Sequence, residues 1–278
     1  MIVNTAAYHF VALEDLQGLR ENLFQRAQGN GLMGTVLVSP EGLNLFLAGT
    51  AEGIQAFYAP LLADPRFAGM VVKRSYSEHL PFARLKVKLK KEIISFRRAD
   101  GQPLDHARSP GVSPPTLARW LAQGHDDAGK PVLMLDTRNQ QEVAHGTFTD
   151  ALTFPIDKFT DLPAALEPHR EALKDKTVVS FCTGGIRCEK AALWMVNEGM
   201  DNVLQLDGGI LAYFEQVGGQ HYDGGCFVFD ERVSLDPQLS PLKDAPVLPA
   251  DAPVAPNPNK AGRARVRQAA AEAAAVKA

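Results

Sequence analysis

Cysteine is scarce in this 278-residue chain: three residues, none of them in a Cys-x-x-Cys pair. Three thiols do not make a disulfide framework, and without paired spacing no zinc site is expected. His79 and His145 have no partners at ligand spacing and read as local hydrogen-bonding residues. Long apolar runs are missing too, since none approaches the roughly 20 residues that span a bilayer. The start, Met1-Ile2-Val3-Asn4-Thr5, has neither a basic region nor a signal-peptide core, which implies a cytoplasmic protein. Nor is there a strong charge of either sign. The net charge is −3, with 45% hydrophobic and 22% charged residues, as in an ordinary soluble globular protein. That balance hides an asymmetry, because residues 241–278 carry six Lys/Arg against three Asp/Glu, leaving −6 on the rest.

What is present is concentrated at Val178-Val179-Ser180-Phe181-Cys182-Thr183-Gly184-Gly185-Ile186-Arg187-Cys188. This reads as a buried strand delivering a cysteine into a glycine-rich turn, with a helical pattern just after it. A thiol there faces unpaired backbone N–H groups and the positive end of a helix dipole, which both favour the nucleophilic thiolate. Gly184 and Gly185 let the loop of Thr183, Gly184, Gly185 and Ile186 curl around one anion, and Arg187 adds a permanent positive charge. Cys182 is therefore the candidate nucleophile.

The pattern around it has two parts. Residues 1–98 alternate as strand Ala6–Leu13, helix Glu14–Gln28, strands Gly34–Ser39 and Leu43–Ala48, a helix after Thr50, and strands Phe67–Ser75 and Arg84–Phe96. That order fits a ferredoxin- or acylphosphatase-like α+β sandwich. Residues 99–115, with four prolines, read as a linker. Residues 116–220 alternate apolar strands (Pro131–Leu135, Val178–Phe181, Val203–Leu206) with helices (Leu162–Leu173, Glu189–Glu198), the pattern of a parallel α/β sheet covered on both faces. Residues 221–240 form an extension. The Pro/Ala-rich, basic segment 241–278 is expected to be disordered, either a solubilising tail or an RNA-binding arm.

Asp136-Thr137-Arg138, Glu142, Gly146 and the Cys182–Arg187 loop together resemble a rhodanese domain, whose loop cysteine carries a persulfide sulfur cradled by amides. The cysteine-to-arginine spacing is one residue shorter than the Cys-x5-Arg of phosphatases, which suits a single sulfur better than a phosphate. A longer run is similar to the bacterial tRNA uridine hydroxylase family. It comprises Cys182 through Glu189-Lys190-Ala191, then Gln205-Leu206-Asp207-Gly208-Gly209-Ile210, then Gly225-Cys226-Phe227-Val228-Phe229-Asp230-Glu231-Arg232-Val233. The resemblance implies an N-terminal ferredoxin- or acylphosphatase-like domain joined to a rhodanese domain. It also implies oxygen-dependent conversion of the wobble uridine, position 34, to 5-hydroxyuridine, with the tRNA anticodon loop as partner rather than DNA or a membrane. No cofactor is evident, and oxygen and an unidentified electron donor are implied only by the resemblance. The chain departs from general rhodaneses at Gly146-Thr147-Phe148, where they usually have Gly-His-Ile. It also lacks the cysteine pairs that some relatives carry after Phe-Val-Phe-Asp, so no C-terminal metal site is expected.

One segment supports RNA directly. In Arg84-Leu85-Lys86-Val87-Lys88-Leu89-Lys90 cations and apolar residues alternate, so a strand would send Leu85, Val87 and Leu89 to the core and line up Arg84, Lys86, Lys88 and Lys90 opposite. Such a row matches a phosphate backbone; it is also what a solvated edge strand looks like. Other residues stay open in the same way. Cys188 is either a resolving thiol for Cys182 or a small buried packing residue, and Asp136 either orders the cysteine loop or caps neighbouring amides. Cys226, in an aromatic β run, reads as core or interface. The functional alternatives are a tRNA hydroxylase using Cys182, a sulfurtransferase moving persulfide sulfur to an acceptor, and a non-enzymatic RNA-binding module.

Overall fold

The computed structural model describes residues 1–242, so the expected tail lies outside the described residues from 243 onward. Pro241 and Leu242, which the composition assigns to that tail, still pair with Leu235 and Ser234. No described helix is long and apolar enough to cross a membrane.

The first half runs β1 (Ile2–Phe10), α1 (Leu16–Gly29), β2 (Met33–Ser39), β3 (Gly42–Gly49), α2 (Ala51–Leu62), β4 (Val72–Ser77) and β5 (Leu85–Leu89). Thr50 caps α2, its hydroxyl accepting the Gly53 N–H at 3.1 Å. The strands form one mixed sheet in the order β4-β1-β3-β2-β5, antiparallel except for β5, which lies parallel to β2 at the edge. Alternation assigns the two faces. Val36 and Val38 of β2 and Leu43, Leu45 and Leu47 of β3 pack with Leu23 of α1 and Phe57 of α2 into one core. Their neighbours Leu37, Asn44 and Tyr8 lie on the opposite face, toward the second half of the chain.

Two strands are shorter than the sequence suggests. Pro65–Phe67 is a 3₁₀ turn, and β4 starts only at Val72. After β5 the chain curls, because the Glu92 carboxylate accepts the N–H groups of Phe96 and Arg97, and Ile93 and Phe96 are buried from a loop.

The second half continues with β6 (Gly111–Val112), α3 (Pro114–Gln123), β7 (Val132–Asp136), α4 (Gln140–Val143), β8 (Gly146–Phe148), α5 (Leu162–Leu166) and α6 (Arg170–Leu173). It ends with β9 (Thr177–Phe181), α7 (Ile186–Asn197), β10 (Val203–Leu206), α8 (Gly209–Val217), β11 (Tyr222–Gly224), β12 (Cys226–Phe227) and β13 (Ser234–Leu235). Four strands form the expected parallel sheet in the order β6-β10-β9-β7. All five residues of β9 are buried: Val178, Val179 and Phe181 belong to the core, and the Thr177 and Ser180 hydroxyls donate to Asp126 and to the Leu204 carbonyl. Strand β6 comes from the segment read as linker. The helix expected over 162–173 is interrupted at Glu167–His169, where Pro168 cannot donate to the helix ladder.

The two halves meet along α7. Lys190 is fully buried and its ammonium lies 2.8 Å from Glu41 and 2.9 Å from Glu92, both in the first half. Removing one partner of such a pair leaves uncompensated buried charge and costs roughly 3 kcal/mol or more. Lys190→Met should therefore lower the denaturant midpoint strongly. Adding Glu41→Gln and Glu92→Gln should recover part of the loss, because the stranded carboxylates go with them. Chemical denaturation of the three proteins measures both effects.

Candidate active site

Cys182 directly follows β9 and α7 begins four residues later, so the loop between strand and helix is short. Gly185, at φ +97°, makes the turn and forms the helix N-cap position. Gly209, at φ +67°, does the second necessary thing: a Cβ there would stand 2.4 Å from the Cys182 carbonyl oxygen. Its absence lets the start of α8 close on the loop, where Ile210 N–H donates to the Cys182 carbonyl at 3.0 Å and Leu211 N–H to that of Thr183 at 3.1 Å. The Gln205–Ile210 stretch thus braces the cysteine loop from below.

The thiol is 1% exposed, and burial by itself pushes its pKa up. That push is overcome by a hydrogen bond from the Cys188 thiol, by the Arg187 charge, and by the backbone N–H groups of Arg187 and Gly185, the last 3.1 Å from Sγ. The result is a Cys182 pKa of about 6. Cys188 moves the opposite way, raised by burial and by its hydrogen bond to Cys182. It remains a thiol and donates. Cys188 sits in the core with its thiol against that of Cys182.

Arg187 is also buried, and its guanidinium forms a bidentate pair with Glu142 at 2.7 and 2.6 Å. Thr183 Oγ1 donates to the same carboxylate at 3.4 Å. Glu142, in the first turn of α4, is thus the carboxylate that reaches the loop. Asp136 is occupied elsewhere. It accepts the Arg138 N–H at 3.0 Å, pairs with the fully buried Arg138 guanidinium at 2.6 Å, and accepts the Thr147 hydroxyl at 2.8 Å. This is the strand-end capping role, and Thr147 belongs to it where general rhodaneses usually have histidine. Ile186 and Cys188 are buried on α7, whereas Thr183 and Gly184 keep partial exposure at the loop's mouth. His145 packs its ring on Phe227 with centroids 5.0 Å apart, and its Nδ1 is buried without a hydrogen-bond partner among the described residues. Cys226 is core, as expected.

Sequence reading missed what the first half contributes. Tyr8 crosses from β1 to place its hydroxyl 3.2 Å from Glu189, and a Cβ on Gly185 would stand 3.0 Å from that hydroxyl. Burial and then the Glu189 charge push the Tyr8 pKa well up, so it stays a neutral donor. Lys73 of β4 lies with its ammonium 5.3 Å from the Tyr8 ring centre. Burial lowers its pKa, against the opposing charges of Cys182, Glu189 and Glu215. Arg108 completes the cluster by bridging Glu189 at 3.1 Å and Asp207 at 2.8 Å. Glu189 and Gln205 were visible as motif residues, but Tyr8 and Lys73 had no signal beyond an apolar strand and a basic segment.

The cationic strand is present with one departure. Val87 is buried and Leu85 packs on the core, but Leu89 is 38% exposed where β5 ends. Lys86 and Lys88 are opposite Thr35 and Leu37 in register, and so share the sheet face that turns toward the second half. Arg84 and Lys90 are exposed at either end. Among the described residues, no group of three or more His, Cys, Asp or Glu gathers as a metal site.

Residues 2–93 match the model of the UPF0176 acylphosphatase like domain, and residues 117–216 that of the Rhodanese-like domain. The chain is 66% identical over 245 residues to the tRNA uridine(34) hydroxylase of Xanthomonas euvesicatoria pv. vesicatoria, covering 88% of this chain and 98% of that one. It is 61% identical over 248 residues to the tRNA uridine(34) hydroxylase of Xylella fastidiosa, covering 89% and 96%. Among solved structures, Saccharomyces cerevisiae Ygr203w, a homolog of single-domain rhodanese and Cdc25 phosphatase catalytic domain, aligns at 17% identity. It covers 41% of this chain and 87% of that one with a TM-score of 0.35, too slight a likeness to argue from.

The electrostatics make a direct prediction. Ultraviolet thiolate absorbance of the native protein should rise with a midpoint near pH 6, from Cys182 alone. Replacing the pair by Glu142→Gln with Arg187→Gln removes the guanidinium without stranding a carboxylate, and should move the midpoint upward. An unmoved midpoint would mean that the Arg187 charge does not act on the thiol.

Proposed function

The chain belongs to the tRNA uridine(34) hydroxylase family, and on that premise we propose that it converts the wobble uridine of tRNA to 5-hydroxyuridine, with Cys182 as the reactive group. The observation that carries the reading of Cys182 is its Sγ, held 3.1 Å from the Gly185 N–H in a loop whose next charge is Arg187. In the proposed reaction the C5–H bond of the uracil becomes C5–OH. One atom of molecular oxygen enters the product, and the other leaves as water with two electrons from a donor. The substrate is the anticodon loop, met in the cytoplasm along the face that carries Lys86 and Lys88.

The chain's own residues supply three things to this chemistry. The loop N–H groups and Arg187 hold negative charge on sulfur at neutral pH. Glu142 fixes the guanidinium by a two-point contact, so the charge does not need to reorient during reaction. Tyr8, donating to Glu189 beside the loop, and Lys73 bring donors from the first sheet to the same place. The same nest would hold the outer sulfur of a persulfide, so sulfur transfer is the second reading. In either case Cys182 is the atom to remove.

Nucleoside analysis of tRNA from a strain lacking the gene, complemented with the native or the Cys182→Ala form, separates the readings. The native gene should restore 5-hydroxyuridine derivatives and Cys182→Ala should not. Persistence of these nucleosides in the deletion strain would remove the hydroxylase reading, while full rescue by Cys182→Ala would remove only the role of the thiol. Separately, Lys86→Glu with Lys88→Glu should weaken tRNA binding and flatten its salt dependence, by roughly 0.7–0.9 in log–log slope for each phosphate that is no longer neutralised. Filter binding across a salt series reads this.

A further inference from the structure

The Arg187–Glu142 pair also forms part of the wall of a cleft of about 430 Å³ between the two halves of the chain. Lys90 and Arg97 line it from the first half, Asn139 and Lys158 from the second, and Phe229 from the segment after β12. The size falls within the roughly 300–1,000 Å³ of small-ligand sites.

Its charge is set by cations that are not neutralised locally. Arg98, Arg108, Arg119, Arg138, Arg170, Arg187, Lys190 and Arg232 are all ion-paired. Lys90, Arg97 and Lys158 are exposed, and none pairs with a described carboxylate. The cleft's own carboxylates, Glu92 and Glu142, are already engaged by Lys190 and Arg187. The net field therefore favours an anion.

The aromatic component is equally distinct. Phe229 is 61% exposed, the most exposed aromatic ring among the described residues, and stands edge-on to Phe227 with centroids 5.0 Å apart at 87°. That leaves a ring face for a flat partner. On the cleft wall Arg187 is more than nine-tenths buried, and its Nε is a buried donor with no hydrogen-bond partner among the described residues. An unsatisfied donor of this kind is costly. Finally, Leu37 also lines the cleft, and it sits opposite Lys88 in the β2–β5 register. The cationic face of β5 thus runs into it.

An anion-favouring pocket with one open aromatic ring, entered along a row of cations, matches a nucleotide of a single-stranded RNA. We propose that this cleft is a single-nucleotide subsite. It takes one unstacked base of the substrate against Phe229, with the flanking phosphates on Lys90, Arg97 and Lys158, next to the cysteine loop that shares Arg187. This inference rests on the tRNA reading above and names the place where the reacting nucleotide enters.

The test uses the full-length protein and an anticodon stem-loop RNA carrying 4-thiouridine at position 34. Irradiation should cross-link that nucleotide to the peptide containing Phe229, and Phe229→Ala should abolish the cross-link and weaken binding roughly tenfold. Phe229→Tyr, which keeps the ring, should retain both. Replacing Lys90, Arg97 and Lys158 together by Ser should weaken binding at least tenfold and lower the salt slope by about two. A cross-link that maps outside the cleft, or binding unchanged in Phe229→Ala and in the triple variant, overturns the subsite. Because these readouts are binding and proximity, a failure here with 5-hydroxyuridine still lost in the deletion strain removes the subsite alone. A Phe229 cross-link with 5-hydroxyuridine still made in that strain supports the subsite and removes the hydroxylase reading.

Discussion

A single buried ammonium fixes how the two sheets meet. Lys190 sits on α7 between carboxylates of the first half, Glu41 and Glu92, and its neighbour Glu189 takes Tyr8 and Arg108. Both residues lie close to the helix start that forms the cysteine loop. Any slide of the first sheet over α7 would therefore separate opposite charges out of contact with water. Buried pairs of this sort contribute little net stability, since the desolvation penalty offsets their attraction. Their effect is on geometry: alternative packings leave charge unmatched. The helix that begins four residues after Cys182 is thereby the helix to which the other half is keyed.

The same helix explains the state of the sulfur. Burial at 1% exposure would keep Cys182 protonated, and a strong set of opposing contacts is needed to reverse that. The loop supplies them without a base: two backbone N–H groups, a guanidinium and a second thiol. Cys188 and Cys182 then hold one proton between them, on Cys188. Arg187 is shared between the sulfur and Glu142, so its charge is held in place by a carboxylate rather than by water.

Much of this was legible in the chain because it depends on local signals. The cysteine after an apolar strand, the glycines of the turn, Thr50 as a helix cap and the alternation within β5 are all readable from neighbours in sequence. Three features were not. Helix α7 begins at Ile186 rather than Glu189, because its N-cap is Gly185 at positive φ and not one of the polar capping residues. Strand β6 is two residues long, too short for periodicity, and exists because Pro110 and Val112 carbonyls accept from Gln205 and Asp207. Tyr8 and Lys73 reach the cysteine loop from more than 100 residues away, and no spacing rule connects them to it. Asp136 is drawn away from the cysteine loop by a partner that the sequence does not mark as buried. Arg138 is only two positions on, and a buried arginine that near takes up its oxygens.

The Cys182 sulfur is nearly inaccessible, at 1% exposure. Thr183 and Gly184 are the loop residues with partial exposure, and Cys182 itself lies beneath them. The Arg187–Glu142 pair borders both that sulfur and the cleft: the Arg187 charge acts on the Cys182 thiol, and the same guanidinium with its carboxylate lines the cleft wall. One buried ion pair is therefore common to the electrostatics of the thiol and to the surface of the cleft, so a change in either is felt by the other through the same charge.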